Sequence, residues 1–307
     1  MQKKLLVPVD GSIHSKYAAR YVASLAARGT GCHCTLMHIH PGISQYLRDE
    51  ARSDPTIRKT VAAARERNQA ESTEILETAR AMMLREGVPE AAIDTVSQER
   101  MLGLAKDLVE YAHREDYDAI VLGRRGLSRI QEVFMGSTSA KIVSHTLGTP
   151  VWIVDGEVRP QRILVAVDHS KSAYQLVEYV SLMCAGIKDI HVTFYRISPD
   201  ESIQAPIGQD AETLDAMLAD IETQVSARFW PEVIGRMGKA GITSSQIEMR
   251  TATRTGKVAK MILDEARLNN FDTVVVGRRG SSKAFYFGRT SHYVTERMTE
   301  KTVWVVG

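Results

Sequence analysis

The feature that most constrains the fold is an internal repeat. Residues 5–12 (LLVPVDGS) return at 163–170 (ILVAVDHS), 158 positions later. Residues 118–126 (DAIVLGRRG) return at 272–280 (DTVVVGRRG), 154 positions later. Two further segments match in the same order, so the chain is expected to contain two tandem copies of one domain. A polar stretch with a proline separates the copies, and we place the domains at 1–156 and 157–307.

Each copy alternates short apolar runs with longer helical patterns. Val, Ile and Leu dominate the runs, which predicts strands buried on both faces. In the first copy the predicted strands are 4–9, 33–39, 92–97, 118–122 and 150–154, and the predicted helices 14–28, 56–86, 102–114 and 137–146. In the second copy the strands are 162–167, 190–197, 245–251, 272–276 and 302–306, and the helices 171–185, 211–239, 256–269 and 289–299. This alternation predicts an α/β chain of two tandem doubly wound domains, each a five-stranded parallel sheet flanked by helices.

The composition limits the cellular compartment and the classes of binding partner that we expect for this protein. The net charge is +2 and basic residues are mixed with acidic ones, which gives no reason to expect nucleic acid or a membrane surface as partner. Three cysteines suit a reducing compartment. No apolar run approaches the length of a membrane span or a signal-peptide core, so we expect a cytoplasmic protein.

A group of glycines and hydroxyl residues follows the fourth predicted strand. The strand ends at Gly123, Gly126 comes three residues later, and Gly136 opens the next helix together with Ser137 and Thr138. Glycine lets the backbone approach a phosphate closely, and a helix start that carries hydroxyl groups favours an anion. The nearby arginines 124, 125 and 129 add positive charge. Because ligands of open parallel sheets bind beyond the carboxyl ends of the strands, these features predict a nucleotide site.

Each of these features also has a simpler interpretation. The glycines suit an ordinary turn, and Gly136-Ser137-Thr138 suits a helix cap. Asp10, at the end of the first strand, suits a cap on helix 14–28, and the arginines suit a solvated surface. The combination at neighbouring strand ends is what favours a ligand.

The spacing Gly123-x2-Gly126-x9-Gly136-Ser137 resembles the ATP-binding pattern of universal stress proteins. The opening VPVDGS and the closing TPVWIV also resemble that family, and the resemblance covers nearly the whole chain as two copies. It implies an ATP site, with Mg²⁺ on the phosphates and no metal ligand from protein side chains. The implied nucleotide-binding residues are Pro8, Val9, Asp10, Ile39, Gly123, Arg124, Gly126, Gly136, Ser137 and Thr138. It also implies pairing of the closing strands, either between the two halves or in a homodimer.

The second copy departs from this pattern. Its glycine loop is two residues shorter, Arg289 takes the place of Ser137, and Ala166 takes the place of Pro8. We therefore expect standard ATP binding to be lost there. The alternatives are an empty site, a site for AMP or another small anion formed by arginines 278, 279 and 289, or a purely structural role. The residues of this degenerate site are Asp168, Ile197, Gly277, Arg278, Gly280, Gly288 and Arg289.

Other signals carry less weight. Cys32, Cys34, His38 and His40 share one strand, but their span of about 26 Å is too long for one metal ion. The loops 41–55 and 198–209 are either lids or ordinary connections. The leading function is an ATP-binding regulatory stress-response protein. One alternative is a slow ATPase or phosphoryl-transfer enzyme, although the glycine loop contains no evident general base. The other alternative is a scaffold that binds no nucleotide.

Overall fold

The computed structural model describes residues 2–29, 31–124, 139, 141–143, 146, 148–168, 171–198, 211–278 and 288–307, without the side chains of 171, 211–222, 225 and 226. The chain divides into two compact units, Met1–Val158 and Arg159–Gly307. Each unit is a five-stranded parallel sheet with helices, as the sequence predicts.

The sheet of the first unit has the strand order β3-β2-β1-β4-β5. The strands are β1 (Lys3–Pro8), β2 (Cys32–His40), β3 (Ile93–Glu99), β4 (Ala119–Gly123) and β5 (Val151–Val154). The helices are α1 (Ile13–Ala26), α2 (Gln45–Ser53), α3 (Pro55–Arg85) and α4 (Leu104–Arg114), and Glu90–Ala92 form a 3-10 turn. Ser139 and residues 141–143 are also helical.

The sheet of the second unit repeats this order as β8-β7-β6-β9-β10. Its strands are β6 (Arg162–Val167), β7 (His191–Ser198), β8 (Ile247–Thr253), β9 (Thr273–Gly277) and β10 (Thr302–Val306). The helices are α5 (Lys171–Cys184), α6 (Ala211–Lys239), α7 (Val258–Leu268) and α8 (Arg289–Arg297), and Ser244–Gln246 form a 3-10 turn.

Burial follows the position of each strand in its sheet. The central strands β1 and β4 bury almost every side chain, which confirms the prediction of strands covered on both faces. That prediction is wrong for β3 and β8. Asp94 and Thr95 are exposed in β3, as are Glu248 and Met249 in β8, because both strands lie at the edge of their sheet and pair on one side only.

The tryptophan of each closing strand packs in the core of its own unit. Trp152 meets Tyr21 edge to face, with ring centroids 6.0 Å apart, and Trp304 meets Tyr179 in the same way at 6.1 Å. Both tryptophans are fully buried. The repeat is therefore preserved in the packing of the two cores as well as in the strand pattern.

Helix starts follow local sequence signals. Ser12 caps α1 by accepting a hydrogen bond from the Ser15 amide at 3.2 Å. Asp54 caps α3 by accepting from the Thr56 amide at 2.7 Å, with Pro55 in the first turn. The interpretation of 41–55 as a loop is wrong, because most of it forms α2, which Ser44 caps.

Candidate functional site

The topology of the first unit creates a crevice at the carboxyl edge of its sheet. From β1 the chain crosses to β2 on one side, and from β4 it continues to β5 on the other, although β1 and β4 are neighbours. Such a switch point is where open α/β sheets bind ligands. The residues that follow these strands are Val9 and Asp10 after β1 and Arg124 after β4.

Asp10 lies in a turn that fixes one of its carboxylate oxygens. The Ser12 amide donates to Asp10 Oδ1 at 3.0 Å, and Gly11 between them has a φ of +77°, which glycine adopts without strain. Ser12, rather than Asp10, caps the helix, so the simpler interpretation of Asp10 as the cap of α1 is wrong. Asp10 is half-buried, and among the described residues none donates to its Oδ2, so this oxygen can accept a hydrogen bond from a ligand.

The backbone of Val9 is already engaged. Its amide donates to the Met37 carbonyl at 2.8 Å, and its carbonyl accepts from His38 Nδ1 at 2.7 Å. A carbonyl can only accept, so the Nδ1 of His38 carries the proton. Pro8 and Val9 are buried and Ile39 is half-buried, and the contact of these three residues with a base stays a prediction. Sequence reasoning considered His38 only as a metal ligand and missed its place beside Asp10.

Gly123 allows α1 to lie directly over the end of β4. A Cβ on Gly123 would lie 2.4 Å from the carbonyl oxygen of His14, a distance that real Cβ atoms essentially never show. The absence of a side chain is therefore required by packing, whether or not a phosphate also approaches. His14 is a second residue at this edge that sequence reasoning missed.

Arg124 does not project into solvent. Its side chain is 2% exposed, its Nε lies 3.9 Å from Asp155 Oδ2, and its amide donates to the Val154 carbonyl at 2.9 Å. The interpretation of this arginine as a solvated surface charge is wrong. Its contact with a nucleotide stays a prediction.

The central part of the glycine loop lies outside the described residues, and so do Gly126, Gly136, Ser137 and Thr138. The structure does describe the residue that follows Thr138. Ser139 is buried and donates from Oγ to the Gly123 carbonyl at 3.3 Å, which ties the helix start to the end of β4. Ser291 makes the equivalent bond to the Gly277 carbonyl in the second unit. Sequence reasoning missed both serines, although their positions 152 residues apart match the end of the repeat.

The carboxyl edge of the second unit keeps the backbone frame of the first. The Arg278 amide donates to the Val306 carbonyl at 2.6 Å, and the Gly288 amide donates to the Arg278 carbonyl at 2.9 Å. Asp168 is exposed after β6, Ile197 is half-buried in β7, and Arg289 is exposed at the start of α8. Gly280 lies outside the described residues.

Comparisons with known proteins agree with the tandem arrangement. The family model described as "Universal stress protein family" matches residues 1–155 and again 160–307. The chain belongs to the universal stress protein family. A universal stress protein of Thermus aquaticus is 29% identical over 145 residues, which cover 47% of this chain and 93% of that relative. The relative therefore has the length of one of the two units.

Solved structures share the two-domain fold of this universal stress protein. A universal stress protein from Archaeoglobus fulgidus superposes with a TM-score of 0.65 at 19% identity, covering 99% of this chain and 97% of its own. A functionally unknown protein from Pseudomonas aeruginosa PAO1 superposes with a TM-score of 0.57 at 15% identity, covering 99% and 92%. At these identities the likeness shows the fold alone.

In this universal stress protein, α2 is held to the end of β3 by one carboxylate. Glu99 Oε1 accepts from the Ile43 amide at 2.7 Å and from Arg48 at 2.7 Å. The hydrogen bond from the Ile43 amide and the positive charge of Arg48 together lower the pKa of Glu99 below its ordinary value. The segment that follows β2 is therefore anchored beside the carboxyl edge of the sheet.

A groove of about 480 Å³ begins at this edge and continues between α1 and α3. Val9, Gly11 and Ser15 line the end near Asp10, and Ile75 and Met82 line the part along α3. Through this groove a ligand can reach the loop after β1 from the side of the sheet on which α1 lies.

The cysteines and histidines of β2 are dispersed. Cys32 and Cys34 are buried, and burial raises the pKa of the Cys34 thiol far above its ordinary value. His33 pairs with Asp94 at 2.6 Å, and His38 bonds the Val9 carbonyl. Across the part of the chain that the structure describes, no group of three or more His, Cys, Asp or Glu side chains is placed to share a metal ion. Nor do the helices described include one that is long and apolar enough to cross a bilayer.

Proposed function

We propose that the first unit binds ATP in the crevice beyond β1 and β4, and that the bound nucleotide regulates the protein. The observation that carries the proposal is the meeting of Asp10 and Gly123 at neighbouring strand ends of the switch point. Gly123 is also the first residue of the spacing Gly123-x2-Gly126-x9-Gly136-Ser137, so the sequence pattern starts where the topology opens a crevice.

The described residues supply parts of a nucleotide site. Asp10 Oδ1 is fixed by the Ser12 amide, so Oδ2 is oriented to accept a bond from a ribose hydroxyl. The Val9 carbonyl and the side chain of Ile39 contact the base. Gly126, Gly136, Ser137 and Thr138, which lie outside the described residues, are the residues of the sequence pattern that would hold the phosphates through backbone amides and hydroxyls, and Mg²⁺ would neutralise phosphate charge there.

Regulation follows from binding alone. A ligand that binds only the folded state stabilises it by about 2.7 kcal/mol when its concentration is a hundred times its Kd. ATP would thereby favour the conformation or assembly of the protein that binds it. The cellular ATP level would set how much of the protein occupies that state, which is a suitable output for a stress-response factor.

The test is calorimetric titration of Mg-ATP into the full chain after removal of carried nucleotide. We expect one site per chain, and we expect the double variant Gly126→Val with Ser137→Ala to abolish it. The matched control is Gly238→Val, which adds the same side chain to an exposed helix position with no atom within 4 Å of the new Cβ. The control should bind ATP as the wild type does.

Each outcome discriminates between functions. Unchanged ATP binding by the double variant would refute the loop assignment. Absence of binding by the wild type would refute the proposal and favour an interaction scaffold. Release of phosphate from labelled ATP in step with binding would indicate a slow ATPase instead of a sensor.

A further inference from the structure

The groove between α1 and α3 has a counterpart in the second unit, between α5 and α6. The repeat relates α1 to α5 with an offset of 158 residues and α3 to α6 with an offset of 154. Packing supports both offsets. Tyr21 and Tyr179 each meet the tryptophan of their closing strand, and Met83 and Met237 are each fully buried near the end of their helix. The residues of the two helix pairs can therefore be compared position by position.

In the second unit, side chains from both helices fill the space between them. The Tyr174 ring of α5 meets the Phe229 ring of α6 edge to face, with ring centroids 5.2 Å apart. The guanidinium carbon of Arg236 lies 5.9 Å from the Tyr174 ring centroid. Arg236 also pairs with Glu232 at 2.7 Å and with Glu178 at 3.7 Å. These five side chains join α5 to α6, and we call them the bridging cluster.

The first unit retains no residue of the bridging cluster. In the order of the chain, the five equivalent residues are Lys16, Arg20, Ile75, Thr78 and Met82. All five line the groove of about 480 Å³ between α1 and α3. A lysine and an isoleucine replace the two rings, and a methionine replaces the guanidinium. The space that the bridging cluster fills in the second unit is therefore open in the first.

The cavity that remains in the second unit has a different character. It measures about 590 Å³, and neither Tyr174 nor Phe229 lines it; the lining residues are Glu178, Ser181, Glu232, Gly235, Arg236 and Lys239. Most of these are charged. In the groove of the first unit, by contrast, Ala79 is buried and Ile75 and Met82 are half-buried, so the wall along α3 is apolar. An apolar ligand therefore suits the first unit only.

The open groove has the size and lining of a small-molecule site. Such sites measure roughly 300–1,000 Å³ and are mostly apolar, with a few polar groups that orient the ligand. The second unit indicates which apolar group fits, because the Tyr174 ring lies against the residues equivalent to Ile75 and Met82. An aromatic ring in the same place of the first unit would contact an isoleucine and a methionine, both of which pack well against rings.

Arg20 reverses the charge on the α1 side of the groove. It takes the place of Glu178, which pairs with Arg236 in the second unit. Among the residues that the structure describes, none accepts a hydrogen bond from its buried Nε, and the Glu86 carboxylate lies 3.8 Å from that atom. Its Nη1 pairs with the exposed Glu157 at 3.3 Å. A buried N–H group without an acceptor, at the wall of an apolar groove, suits the carboxylate of a ligand.

We propose that this groove binds a small aromatic carboxylate, with its ring against Ile75 and Met82 and its carboxylate at Arg20. The ring would take the place that Tyr174 has in the second unit. The carboxylate would face Arg20 as the guanidinium of the bridging cluster faces its glutamate, with the two charges exchanged.

The proposed site is separate from the nucleotide crevice. Of the residues assigned to the nucleotide, only Val9 lines the groove, at the end near Asp10. The ring and the carboxylate would contact side chains of α1 and α3 that the ATP proposal does not use. Binding of the aromatic carboxylate therefore does not depend on ATP binding.

The first test titrates 2-naphthoate into the full chain by calorimetry, where we expect one site per chain. Lys16→Tyr combined with Ile75→Phe introduces the two rings of the second unit and should weaken binding about tenfold or more, because the ring of the probe loses apolar contact area. The matched control is Lys106→Tyr, which removes the same charge and adds the same ring on α4, where Lys106 faces Glu110. The control should change the Kd by less than about twofold.

The second test separates the carboxylate from the ring. Arg20→Gln should weaken 2-naphthoate binding about tenfold, because a charge-assisted hydrogen bond is lost, and should leave the binding of the uncharged 2-naphthol unchanged. The matched control is Arg80→Gln, which removes an arginine of α3 that pairs with Glu90 and does not line the groove. It should change the affinity for neither compound.

Several outcomes would overturn the proposal. Absence of 2-naphthoate binding by the wild type is one, and equal losses in Lys16→Tyr and Lys106→Tyr are another. Equal losses of 2-naphthoate and 2-naphthol in Arg20→Gln would overturn the carboxylate as the recognised group. If the variant with Ile75→Phe does not fold, Lys16→Tyr alone decides, because Lys16 is exposed.

Competition with Mg-ATP distinguishes this proposal from the nucleotide proposal. Displacement of 2-naphthoate by Mg-ATP, together with unchanged binding by the groove variants, would place the probe in the nucleotide crevice and overturn the groove site. Groove-dependent binding of 2-naphthoate by a protein that binds no ATP would refute only the nucleotide proposal. The two proposals therefore fail separately.

Discussion

Replacement of Gly123 by alanine tests whether packing or ligand binding requires the glycine. The added Cβ would lie 2.4 Å from the His14 carbonyl oxygen and 2.9 Å from the His14 Cβ. To restore an ordinary contact, the first turn of α1 must withdraw from β4 by about 1 Å. The contact is with backbone atoms, so no side-chain rotation relieves it.

The expected cost is that of overpacking a buried site. Such insertions destabilise by about 1–3 kcal/mol, which in a unit of this size lowers the Tm by several degrees. The displaced turn begins directly after the Asp10–Ser12 turn, so the affinity for ATP should fall as well. The loss of stability should appear without any nucleotide present.

Hydrogen exchange and thermal unfolding of the nucleotide-free protein measure this effect. Exchange of the α1 amides should accelerate in Gly123→Ala, while the amides of the second unit keep their protection. The matched control is Gly235→Ala in α6, where no atom lies within 4 Å of the new Cβ. It should stabilise the protein by about 0.5–1 kcal/mol. A Gly123→Ala protein as stable as the wild type would refute the packing explanation and leave ligand contact as the reason for glycine.

Three further changes probe other contacts of the first unit. Glu99→Gln should release α2. The lowered pKa of Glu99 means that its contribution to stability is fully present above its ordinary pKa of about 4.5 and is lost as the pH falls through the folded-state pKa. In the wild type, exchange of the α2 amides, corrected for intrinsic rates, should therefore rise as the pH falls below that ordinary value, and in the variant it should be fast on both sides of it. Tyr117→Phe removes the bond to Thr35 Oγ1 and should cost about 1 kcal/mol in urea unfolding at neutral pH. Because burial raises the pKa of Tyr117 to about 12, its stabilising effect is present below its ordinary value of 10 and is lost as the pH rises through 12, so the variant should lose less stability at alkaline pH. Asp155→Asn removes the carboxylate beside the buried Arg124 and should lower the urea midpoint, with a loss of about 1–3 kcal/mol.

Controls separate these effects from general surface changes. Glu157→Gln removes an exposed carboxylate that pairs with Arg20, and it should change stability by less than about 0.5 kcal/mol. If it destabilised as strongly as Asp155→Asn, burial of Arg124 would not be the cause. Unchanged α2 exchange in Glu99→Gln would show that α3 packing, rather than the carboxylate, holds α2.

The sequence predicted the elements that depend on local pattern. The strands at 162–167 and 302–306 and the helix at 211–239 begin and end where predicted. The other predicted elements that the structure describes in full differ from their predicted bounds by one or two residues. Apolar runs and helical periodicity are properties of consecutive residues, so they can be identified before any tertiary contact is known. The internal repeat then required that both units share one topology.

The helix α2 was missed because its sequence carries little apolar signal. It has a single buried side chain, Ala51, and its attachment comes from Glu99, which is 51 positions from Arg48 in the chain. The exposure of β3 and β8 was missed for a related reason. Their sequences, IDTVSQE and IEMRTAT, have polar residues at most positions, which already argued against burial on both faces, and the strand order then shows that both strands lie at an edge.

For the site, the sequence determined which residues follow which strands, and the topology of parallel sheets then placed Asp10 and Gly123 at one edge. The tertiary structure alone decided what these residues do there. It showed that Gly123 makes room for His14 and that Asp155 accompanies the buried Arg124. Such roles depend on distances between segments far apart in the chain, and neither periodicity nor motif spacing contains those distances.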